Sequence, residues 1–313
     1  MRASIVICTR NRAASLGRTL QSLTQMDVPA GLAWQVIIVD NGSSDDTRAV
    51  TEAYGDRLPV HWVFEGEAGL SNARNRGVAE ATGDYILWTD DDVLVHAGWL
   101  AAYVQAFETF PDCAVFGGKV TPVLEEPTPA WFAGNRDLLG FLLAERDFGA
   151  TPIPLCVETF QLPFGANFAL RRAEQQAHRY DPELGVGPGR SRSGEETEVI
   201  RAILAGGGSG MWVPDAEVRH LIPASRQTEA YVLSYNRAIG ETWAHMRERG
   251  VMTPMGPGLE DTSTKLLGAP LAGWIRLVGH ACKYGVLRPF EPSRRWLWHL
   301  MQFGYYKGVV DHF

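Results

Sequence analysis

The sequence lacks the features that define several large classes of protein. Only four cysteines occur among 313 residues and none forms a CxxC pair, so neither a zinc site nor a disulfide framework is indicated. We expect free thiols in a reducing compartment. No segment approaches the roughly 18 uncharged apolar residues of a membrane-spanning helix, and the N-terminal apolar run is too short for a signal peptide. These absences predict a cytoplasmic protein.

An excess of basic charge is also missing. The chain has 36 acidic and 29 basic residues, for a net charge of −7, which argues against charge-driven binding of nucleic acid. The first apolar run, "IVICTRNR", is not followed by a GxGxxG loop. This disfavours a dinucleotide-dependent dehydrogenase, and the lack of a glycine-rich basic loop disfavours a nucleotidyltransferase.

The first third of the chain alternates between two kinds of segment. The runs "ASIVIC", "WQVIIVD", "VHWVFE" and "GDYILWTD" are apolar and rich in β-branched or aromatic residues, as in buried strands. The first three are each followed by turn residues and a segment with helical spacing. This rhythm predicts a parallel α/β sheet with helices on both faces. Ligands of such sheets bind at the carboxyl ends of the strands.

Polar clusters follow three of the predicted strands, at Thr9–Asn11, Asp40–Ser44 and Asp90–Asp92. A single polar cluster is ordinary at a strand end, but three together favour a binding site at one edge of the sheet. Adjacent carboxylates suit a hard divalent cation such as Mg²⁺ or Mn²⁺. While the chain stays extended, Asp90 and Asp92 should point to one side and Asp91 to the other.

The rest of the chain changes in character. Residues 120–165 are rich in proline, residues 185–194 form a glycine-rich stretch, and "GEETEVIRAILAGG" predicts a helix with an acidic first turn. Beyond about residue 226 the spacing is helical. From Lys265 onward, the chain has seven Lys or Arg residues, two acidic residues and several aromatic residues. Two interpretations stay open: a face for a membrane or a lipid-linked substrate, or packing on the catalytic domain or a second subunit.

Seven segments of residues 3–226 resemble glycosyltransferase family 2 in order and spacing. They are "IVICTRNR", "IIVDNGSSDDT", "GLSNARNRGVAEATGDYILWTDDD", "GANFALRR", "YDPELG", "GEETEVIRAILAGG" and "VPDAEVRHLIPASR". The resemblance implies the α/β GT-A fold, a Rossmann-like, mostly parallel sheet flanked by helices. We expect a catalytic domain at 1–225, with a nucleotide-sugar half at 1–120 and an acceptor-side half at 121–225. Residues 226–313 would form a helical C-terminal extension.

The resemblance also implies a set of positions that bind the donor nucleotide. These are Thr9, Arg10, Asn11, Asp40, Asn41, Ser43, Arg74, Asp90 and Asp91. Asp40 would accept a hydrogen bond from the base N3–H, which uracil and thymine present, so a UDP- or dTDP-type donor is expected. Asp92, Asp90 and His220 would hold Mn²⁺ or Mg²⁺. For His220 the alternative is an ordinary hydrogen-bonding residue at a strand end.

The catalytic base implied by the resemblance lies in "GEET". The family has Glu-Asp there, with the second residue as base, which corresponds to Glu196; the change from Asp to Glu leaves Glu195 as the alternative. Acids are also favoured at a helix N-terminus by the helix dipole alone. The glycine-rich loop could bring Arg190 or Arg192 to the diphosphate. Two further positions for the diphosphate or acceptor are Asn167 and Arg226.

These inferences together predict an inverting, metal-assisted glycosyltransferase of polysaccharide or glycoconjugate biosynthesis. Its acceptor would be a glycan, a lipid-linked sugar or another hydroxyl compound, with no nucleic acid partner. The alternatives are an inactive nucleotide-sugar-binding or scaffold subunit, and a sugar nucleotidyltransferase. The basic, aromatic tail adds the interpretation of peripheral contact with the inner face of the cytoplasmic membrane.

Overall fold

The computed structural model describes residues 1–250, 264–290 and 292–313, with the backbone alone for 190 and 191. Its strands are β1 Arg2–Thr9, β2 Ala33–Asp40, β3 Val60–Phe64, β4 Tyr85–Asp90, β5 Val93–Val95, β6 Cys113–Leu124, β7 Asn167–Arg171, β8 Val186–Gly187, β9 Arg190–Ser191, β10 Ser209–Ile222, β11 Lys265–Leu266 and β12 Ala269–Pro270. Its helices are α1 Ala13–Leu23, α2 Thr47–Glu52, α3 Leu70–Glu80, α4 Trp99–Thr109, α5 Ala130–Ala133, α6 Arg172–Ala177, α7 Glu195–Ala205, α8 Glu229–Glu248, α9 Leu271–Leu287 and α10 Ser293–His312.

Eight of the strands within the described segments form one sheet, in the order β3-β2-β1-β4-β7-β6-β10-β5. The strands β1 to β4 are parallel to one another, as predicted. The other half is different, because β7 runs antiparallel to both β4 and β6, and β5 runs antiparallel to β10. In register, Thr9 lies beside Asp40 and Cys8 beside Asp90. The carboxyl ends of β1, β2 and β4 therefore finish at one edge of the sheet.

The sheet is covered on both faces, which explains why its parallel strands read as continuous apolar runs. Alternate residues of each strand belong to different cores, because side chains along a strand point to opposite faces. Ile5 packs in one core with Leu16 and Leu20 of α1. Val6 packs in the other core with Val78 of α3. The predicted helices on both faces are confirmed.

The chain divides into two compact units. The first comprises residues 1–123, 144–188 and 194–221 and contains the large sheet; the second comprises 124–143, 189–193 and 222–313 and is mostly helical. The catalytic domain expected from the sequence ends at residue 225 and includes 124–143 and 189–193, which the structure groups with the helical unit.

The second unit has a core of its own. Phe132, Val232, Trp296 and Leu300 are buried together there. Helices α8 and α10 approach so closely at Gly240 that an added Cβ would collide with the backbone of Tyr305. The lack of a side chain at Gly240 permits this approach. None of the helices in the described segments is both long and apolar enough to cross a bilayer.

Candidate active site

The loops after β1 and β2 are bound to each other. The backbone N–H of Asn11 donates to Ser43 Oγ at 2.9 Å, and Asn11 Oδ1 accepts from the N–H of Ser44 at 2.7 Å. Asn11 has a φ of 53°, which asparagine tolerates better than most residues. The Ser43 N–H donates in turn to Asp40 Oδ1 at 2.8 Å. Two of the predicted polar clusters therefore form one structure.

Asp40 is buried at the centre of this structure. Its Oδ2 accepts a hydrogen bond from Trp62 Nε1 at 3.2 Å. A carboxylate oxygen can accept more than one hydrogen bond, so Asp40 retains capacity for a ligand. The neighbouring Asn41 uses its side chain differently, since its Nδ2 donates to the carbonyls of Glu65 and Glu67 and its Oδ1 accepts from Gly69. Asn41 therefore fixes the backbone of residues 65–69, between β3 and α3.

The triple aspartate lies next to Arg12, a residue that the sequence prediction does not include. Arg12 Nη1 is 2.8 Å from Asp91 Oδ1, and its Nη2 is 2.8 Å from Asp92 Oδ2. Thr9 Oγ1 also donates to Asp91 Oδ2 at 2.6 Å. The chain turns directly after Asp90, so Asp90 to Asp92 are not extended and their side chains need not alternate in direction. The guanidinium of Arg12 contacts the carboxylates of both Asp91 and Asp92.

His220 lies against the same carboxylates. Its Nε2 is 3.5 Å from Asp92 Oδ1, and the two side chains are almost fully buried. The backbone fixes this pair, because Val93 lies beside His220 in the register of β5 and β10 and the Leu221 N–H donates to the Asp92 carbonyl at 2.9 Å. The structure therefore brings together two of the three predicted metal ligands.

The donor chemistry of this cluster fits a divalent cation. Carboxylate oxygens suit Mg²⁺ or Mn²⁺, and an imidazole nitrogen is an accepted ligand of transition metals. Within the described part of the chain, however, no three His, Cys, Asp or Glu side chains converge closely enough to hold a metal ion. The cationic group that contacts Asp91 and Asp92 is Arg12, which takes up oxygens that a metal would need.

Arg74 of α3 forms the second centre of positive charge. Its side chain is only 4% exposed, with Nε 3.4 Å from Glu195 Oε1 and Nη2 4.0 Å from Asp90 Oδ1. The guanidinium also lies 5.4 to 5.6 Å from the centres of three rings, those of Trp88, Phe168 and Tyr180. Aromatic faces attract a cation and exclude water from it.

The guanidinium of Arg74 is not fully satisfied by these neighbours. Its Nε and Nη1 are buried and have no hydrogen-bond partner among the described residues. Burial alone would lower the pKa of Arg74, but Glu195 and the other nearby anions outweigh burial and raise it. The guanidinium therefore stays charged and has two nitrogens without a hydrogen-bond acceptor. A buried donor without an acceptor is unusual in a folded protein. An anionic ligand would supply the missing acceptor.

The acids at the start of α7 reach the same place. Burial, followed by repulsion from Glu196, raises the pKa of Glu195 to about 8. Glu196 is only partly buried. Both Arg74 and Glu196 approach Gly165, where an added Cβ would lie 2.8 Å from Arg74 Nη2 and 3.6 Å from Glu196 Oε1. A side chain at position 165 would therefore displace the Arg74 guanidinium, whereas its contact with Glu196 would be an ordinary one.

Negative charge is concentrated at this edge of the sheet. Burial raises the pKa of Asp91 to about 7 in spite of the adjacent Arg12. Burial and repulsion from Asp92 also raise the pKa of Asp90; because 40% of that side chain is exposed, water should moderate the rise. Carboxylates in this situation favour either a proton or a bound cation.

Asn167 is not brought to this site. It is fully buried in β7, where its Oδ1 accepts hydrogen bonds from Trp99 and Tyr103 and its Nδ2 donates to the carbonyls of Lys119 and Ala216. All of its polar capacity is used in packing the sheet against α4. The structure gives Asn167 a structural role instead of the predicted contact with diphosphate or acceptor.

The remaining predicted arginines have varied surroundings. Arg10 is exposed in the loop after β1. Arg192 and Arg226 belong to the second unit, where Arg192 Nε is 3.1 Å from Glu241 Oε1 and the Arg226 guanidinium lies 5.9 Å from the ring centre of Tyr231. The side chain of Arg190 lies outside the described residues. The roles given to these arginines stay predictions.

Three residues of the site are absent from the sequence prediction. Arg12 stands in the same "CTRNR" segment as the predicted Thr9 to Asn11, and the charge of three adjacent aspartates was the signal for a nearby cation. Tyr180 stands in "YDPELG" and lines the ring cage. Gly165 gives no sequence signal of its own, because its effect depends on the approach of α3 and α7.

Comparison with known proteins identifies the family. The sequence profile described as glycosyl transferase family 2 matches residues 4–162, about half of the chain. The chain belongs to glycosyl transferase family 2. It is similar to the succinoglycan biosynthesis protein ExoM of Rhizobium meliloti (strain 1021), with 27% identity over 76% of this chain and 72% of the relative. It is also 30% identical to the glucosyl-dolichyl phosphate glucuronosyltransferase of Haloferax volcanii, over 55% of this chain and 53% of that protein.

Solved structures show the same fold. The mannosyltransferase PcManGT from Pyrobaculum calidifontis, in complex with GDP-Man and Mn²⁺, superposes with a TM-score of 0.62 at 18% identity, over 99% of this chain and 86% of that one. S. aureus TarS 1–349 in complex with UDP gives 0.56 at 16% identity, over 100% and 91%. The GT-A fold expected from the sequence is confirmed, and this family 2 member is a glycosyltransferase.

Proposed function

We propose that this family 2 enzyme transfers a sugar from a UDP- or dTDP-type sugar donor to a hydroxyl acceptor, with inversion at the anomeric carbon. The observation that supports this most directly is Arg74, a buried cation beside Asp90 and Glu195 with two nitrogens that have no hydrogen-bond partner among the described residues. It gives the edge of the sheet an anion-binding group between a carboxylate cluster and an acidic helix start.

Asp40 would recognise the base of the donor. Its buried carboxylate accepts one hydrogen bond from Ser43 and one from Trp62, and a carboxylate has capacity for more, so it can accept another from the N3–H of uracil or thymine. The bonds between Asn11, Ser43 and Ser44 hold the two loops together and limit the cost of ordering them on binding. Because uracil and thymine present an N3–H, we propose UDP or dTDP as the nucleotide part of the donor.

The diphosphate would lie between Arg74 and the aspartates. The free donors of Arg74 can bond to phosphate oxygens, since guanidinium and phosphate match in geometry and charge. Asp92, Asp90 and His220 would hold Mn²⁺ or Mg²⁺ once Arg12 releases Asp92 and the three side chains move together, and the ion would offset negative charge on the leaving diphosphate. The chain's own part is to present Asp90 and Asp92 after β4 and His220 from β10, with the backbone contacts between β5 and β10 fixing Asp92 beside His220.

Glu196 would act as the base that removes the acceptor's hydroxyl proton. It is more open to solvent than Glu195 and lies beside Gly165, where a ligand can approach without meeting a side chain. Glu195 is buried against Arg74 and would orient that guanidinium. Inversion then follows from attack by the acceptor oxygen opposite the departing diphosphate.

The named relatives support a glycan or lipid-linked acceptor. One is a succinoglycan biosynthesis protein and another a glucosyl-dolichyl phosphate glucuronosyltransferase, whose names refer to a polysaccharide and to a sugar on a lipid phosphate. We therefore place this chain in polysaccharide or glycoconjugate biosynthesis.

Calorimetric titration of UDP, dTDP and GDP, each with Mn²⁺, with Mg²⁺ and with chelator, tests the site. UDP or dTDP should bind in a metal-dependent way, and Asp92→Ala should weaken that binding at least about tenfold because it removes a charged ligand. The matched control is Asp56→Ala, an exposed acid away from the cluster. Binding that is independent of metal, or equal for GDP, would overturn this account of the site. The anomeric configuration of a transfer product, read by NMR, tests inversion.

A further inference from the structure

Helix α9 in the second unit has an inverted distribution of polar and apolar residues. Helices on the surface of water-soluble proteins normally turn their apolar face inward. In α9, however, Ile275, Val278 and Val286 are 65%, 57% and 67% exposed, and Cys282 between them is exposed as well. Their spacing of three and four residues places them on one side of the helix. We call these four residues the outer stripe of α9.

The opposite side of α9 is polar and packs on α10. Arg276 Nη1 donates to Tyr306 Oη at 2.8 Å, and the His280 ring stacks on Tyr306 with 5.7 Å between centres. Tyr284 lies 6.2 Å from the ring of Trp296. Polar and aromatic contacts therefore hold this side of α9 in place together with Leu287, which packs on the core, whereas the aliphatic side chains of the outer stripe do not enter the core.

Basic and aromatic groups are exposed close to the end of this helix. Phe290 is 87% exposed, and α10 begins with the exposed Arg294 and Arg295. These two arginines, together with Trp298, His299 and Leu138, line an open groove of about 320 Å³. Arg294 is ion-paired with Asp137 at 2.8 Å, but both side chains are mostly exposed, so a phosphate can compete for that guanidinium. A groove lined by two guanidiniums and an indole fits a phosphate group attached to an apolar chain.

We propose that the outer stripe of α9 and the basic groove of α10 lie on the surface of a membrane that contains anionic phospholipid. The stripe would enter the boundary between headgroups and acyl chains, and the groove would take a lipid phosphate. The described helices cannot cross a bilayer, so contact is with one leaflet. This inference does not depend on the proposed donor or base.

Charge favours a bilayer over a second copy of the chain. From Lys265 to the C-terminus there are seven Lys or Arg residues and two acids, whereas the whole chain carries a net charge of −7. Arg276 lies on the inner side of α9, and Arg288 and Lys307 are ion-paired with Glu229 and Asp311, which leaves the exposed Lys283, Arg294 and Arg295 beside the stripe and the groove. Two copies joined symmetrically through this face would bring these three groups together, because a two-fold interface pairs a surface with itself. An anionic membrane would neutralise them. The aromatic residues that follow Lys265 contribute less to this surface, because Trp296 and Tyr306 among them are buried in the second unit.

Flotation of the full chain with vesicles, without donor or acceptor, tests the proposal. Wild-type protein should float with phosphatidylcholine vesicles that contain phosphatidylglycerol and stay unbound with phosphatidylcholine alone. Ile275→Glu with Val286→Glu should lower the partition coefficient about tenfold or more, and Arg294→Gln with Arg295→Gln should lower it at least about fivefold. Val28→Glu, at an exposed apolar position of the first unit, is the matched control and should bind as wild type.

Circular dichroism and light scattering accompany the flotation. The substituted positions are exposed, so helix content and Tm should match wild type, and the arginine pair tests the face again without touching the stripe. The proposal fails if wild type binds neither kind of vesicle, or if both double variants bind as wild type does. It also fails if wild type is a dimer that Ile275→Glu with Val286→Glu separates, because a second copy would then cover the stripe.

Discussion

Two arginines serve the same group of aspartates in opposite ways. Arg12 is about one-third exposed and makes two close ion pairs, one with Asp91 and one with Asp92. Arg74 is buried, lies 3.4 Å from Glu195 and 4.0 Å from Asp90, and leaves two nitrogens without a hydrogen-bond partner among the described residues. The comparison indicates that Arg12 neutralises the protein's own charge, whereas Arg74 keeps its donors for an anion from outside.

The largest effect is expected from Arg74→Met. Removing the guanidinium takes the nearby positive charge from Asp90, which is 40% exposed, and leaves Glu195 buried without its partner, which should cost about 1–3 kcal/mol of unfolding free energy. UDP binding should fall below detection in the same titration. The control is Arg76→Met on the same helix, where an exposed pair with Glu80 is lost at a cost of about 0.5 kcal/mol. Urea unfolding and calorimetry measure both quantities. Unchanged UDP affinity in Arg74→Met would remove Arg74 from the phosphate site.

Next in size is the effect of Glu196→Gln, which divides the functions of the two acids beside Arg74. We expect kcat to fall roughly 10²- to 10⁴-fold while the affinity for UDP stays near wild type, since a general base acts in the chemical step alone. Glu195→Gln should instead weaken donor binding, because Glu195 orients Arg74. If Glu195→Gln abolishes turnover and Glu196→Gln does not, the base is Glu195.

The contrast between the arginines also shows what the sequence could predict. The four parallel strands and the helices that follow the first three were predictable because buried strands and amphipathic helices have distinct periods. Arg74 could be identified by its place in the family's "ARNRG" segment. The antiparallel half of the sheet was not predicted, because strand order depends on pairings between distant segments such as β4 with β7.

Contacts made by two loops at once were equally hidden. The sequence placed Arg12 and Asp91 almost eighty positions apart, and no local pattern indicates that one guanidinium would bind two successive aspartates. The alternation expected for Asp90 to Asp92 failed for the same reason, because the turn after β4 is set by contacts with β1 and β10. The burial of Asn167 was hidden as well, because it depends on Trp99 and Tyr103, far from it in sequence.

A smaller effect, dependent on pH, is expected at Glu195. Its pKa is about 8 in the folded protein against an ordinary 4.5, so the folded state binds its proton more tightly than the unfolded state does. That stabilisation is fully present below pH 4.5 and is lost as the pH rises to about 8. Glu195→Gln mimics the protonated acid. It should therefore raise Tm relative to wild type by about 2–4 °C or more near pH 8.5, and hardly at all near pH 5.

The control for this pH dependence is Glu108→Gln, at an exposed position of α4. Its difference in Tm from wild type should be the same at both pH values. A difference for Glu195→Gln that is equally constant with pH would show that Glu195 is ionised as readily in the folded chain as in the unfolded one.

The smallest effect should come from Arg12→Gln, and it completes the comparison. Losing the cation between Asp91 and Asp92 should cost about 1 kcal/mol, because partial exposure lets water screen the repulsion. The same change frees carboxylate oxygens for a metal ion, so Mn²⁺ without nucleotide should raise Tm more in Arg12→Gln than in wild type. Arg18→Gln, an exposed arginine of α1, should respond to Mn²⁺ as wild type does. If Mn²⁺ raises the Tm of Arg12→Gln no more than that of wild type, Arg12 does not compete with the metal ion. The metal ion would then bind through Asp90 and leave Arg12 in place.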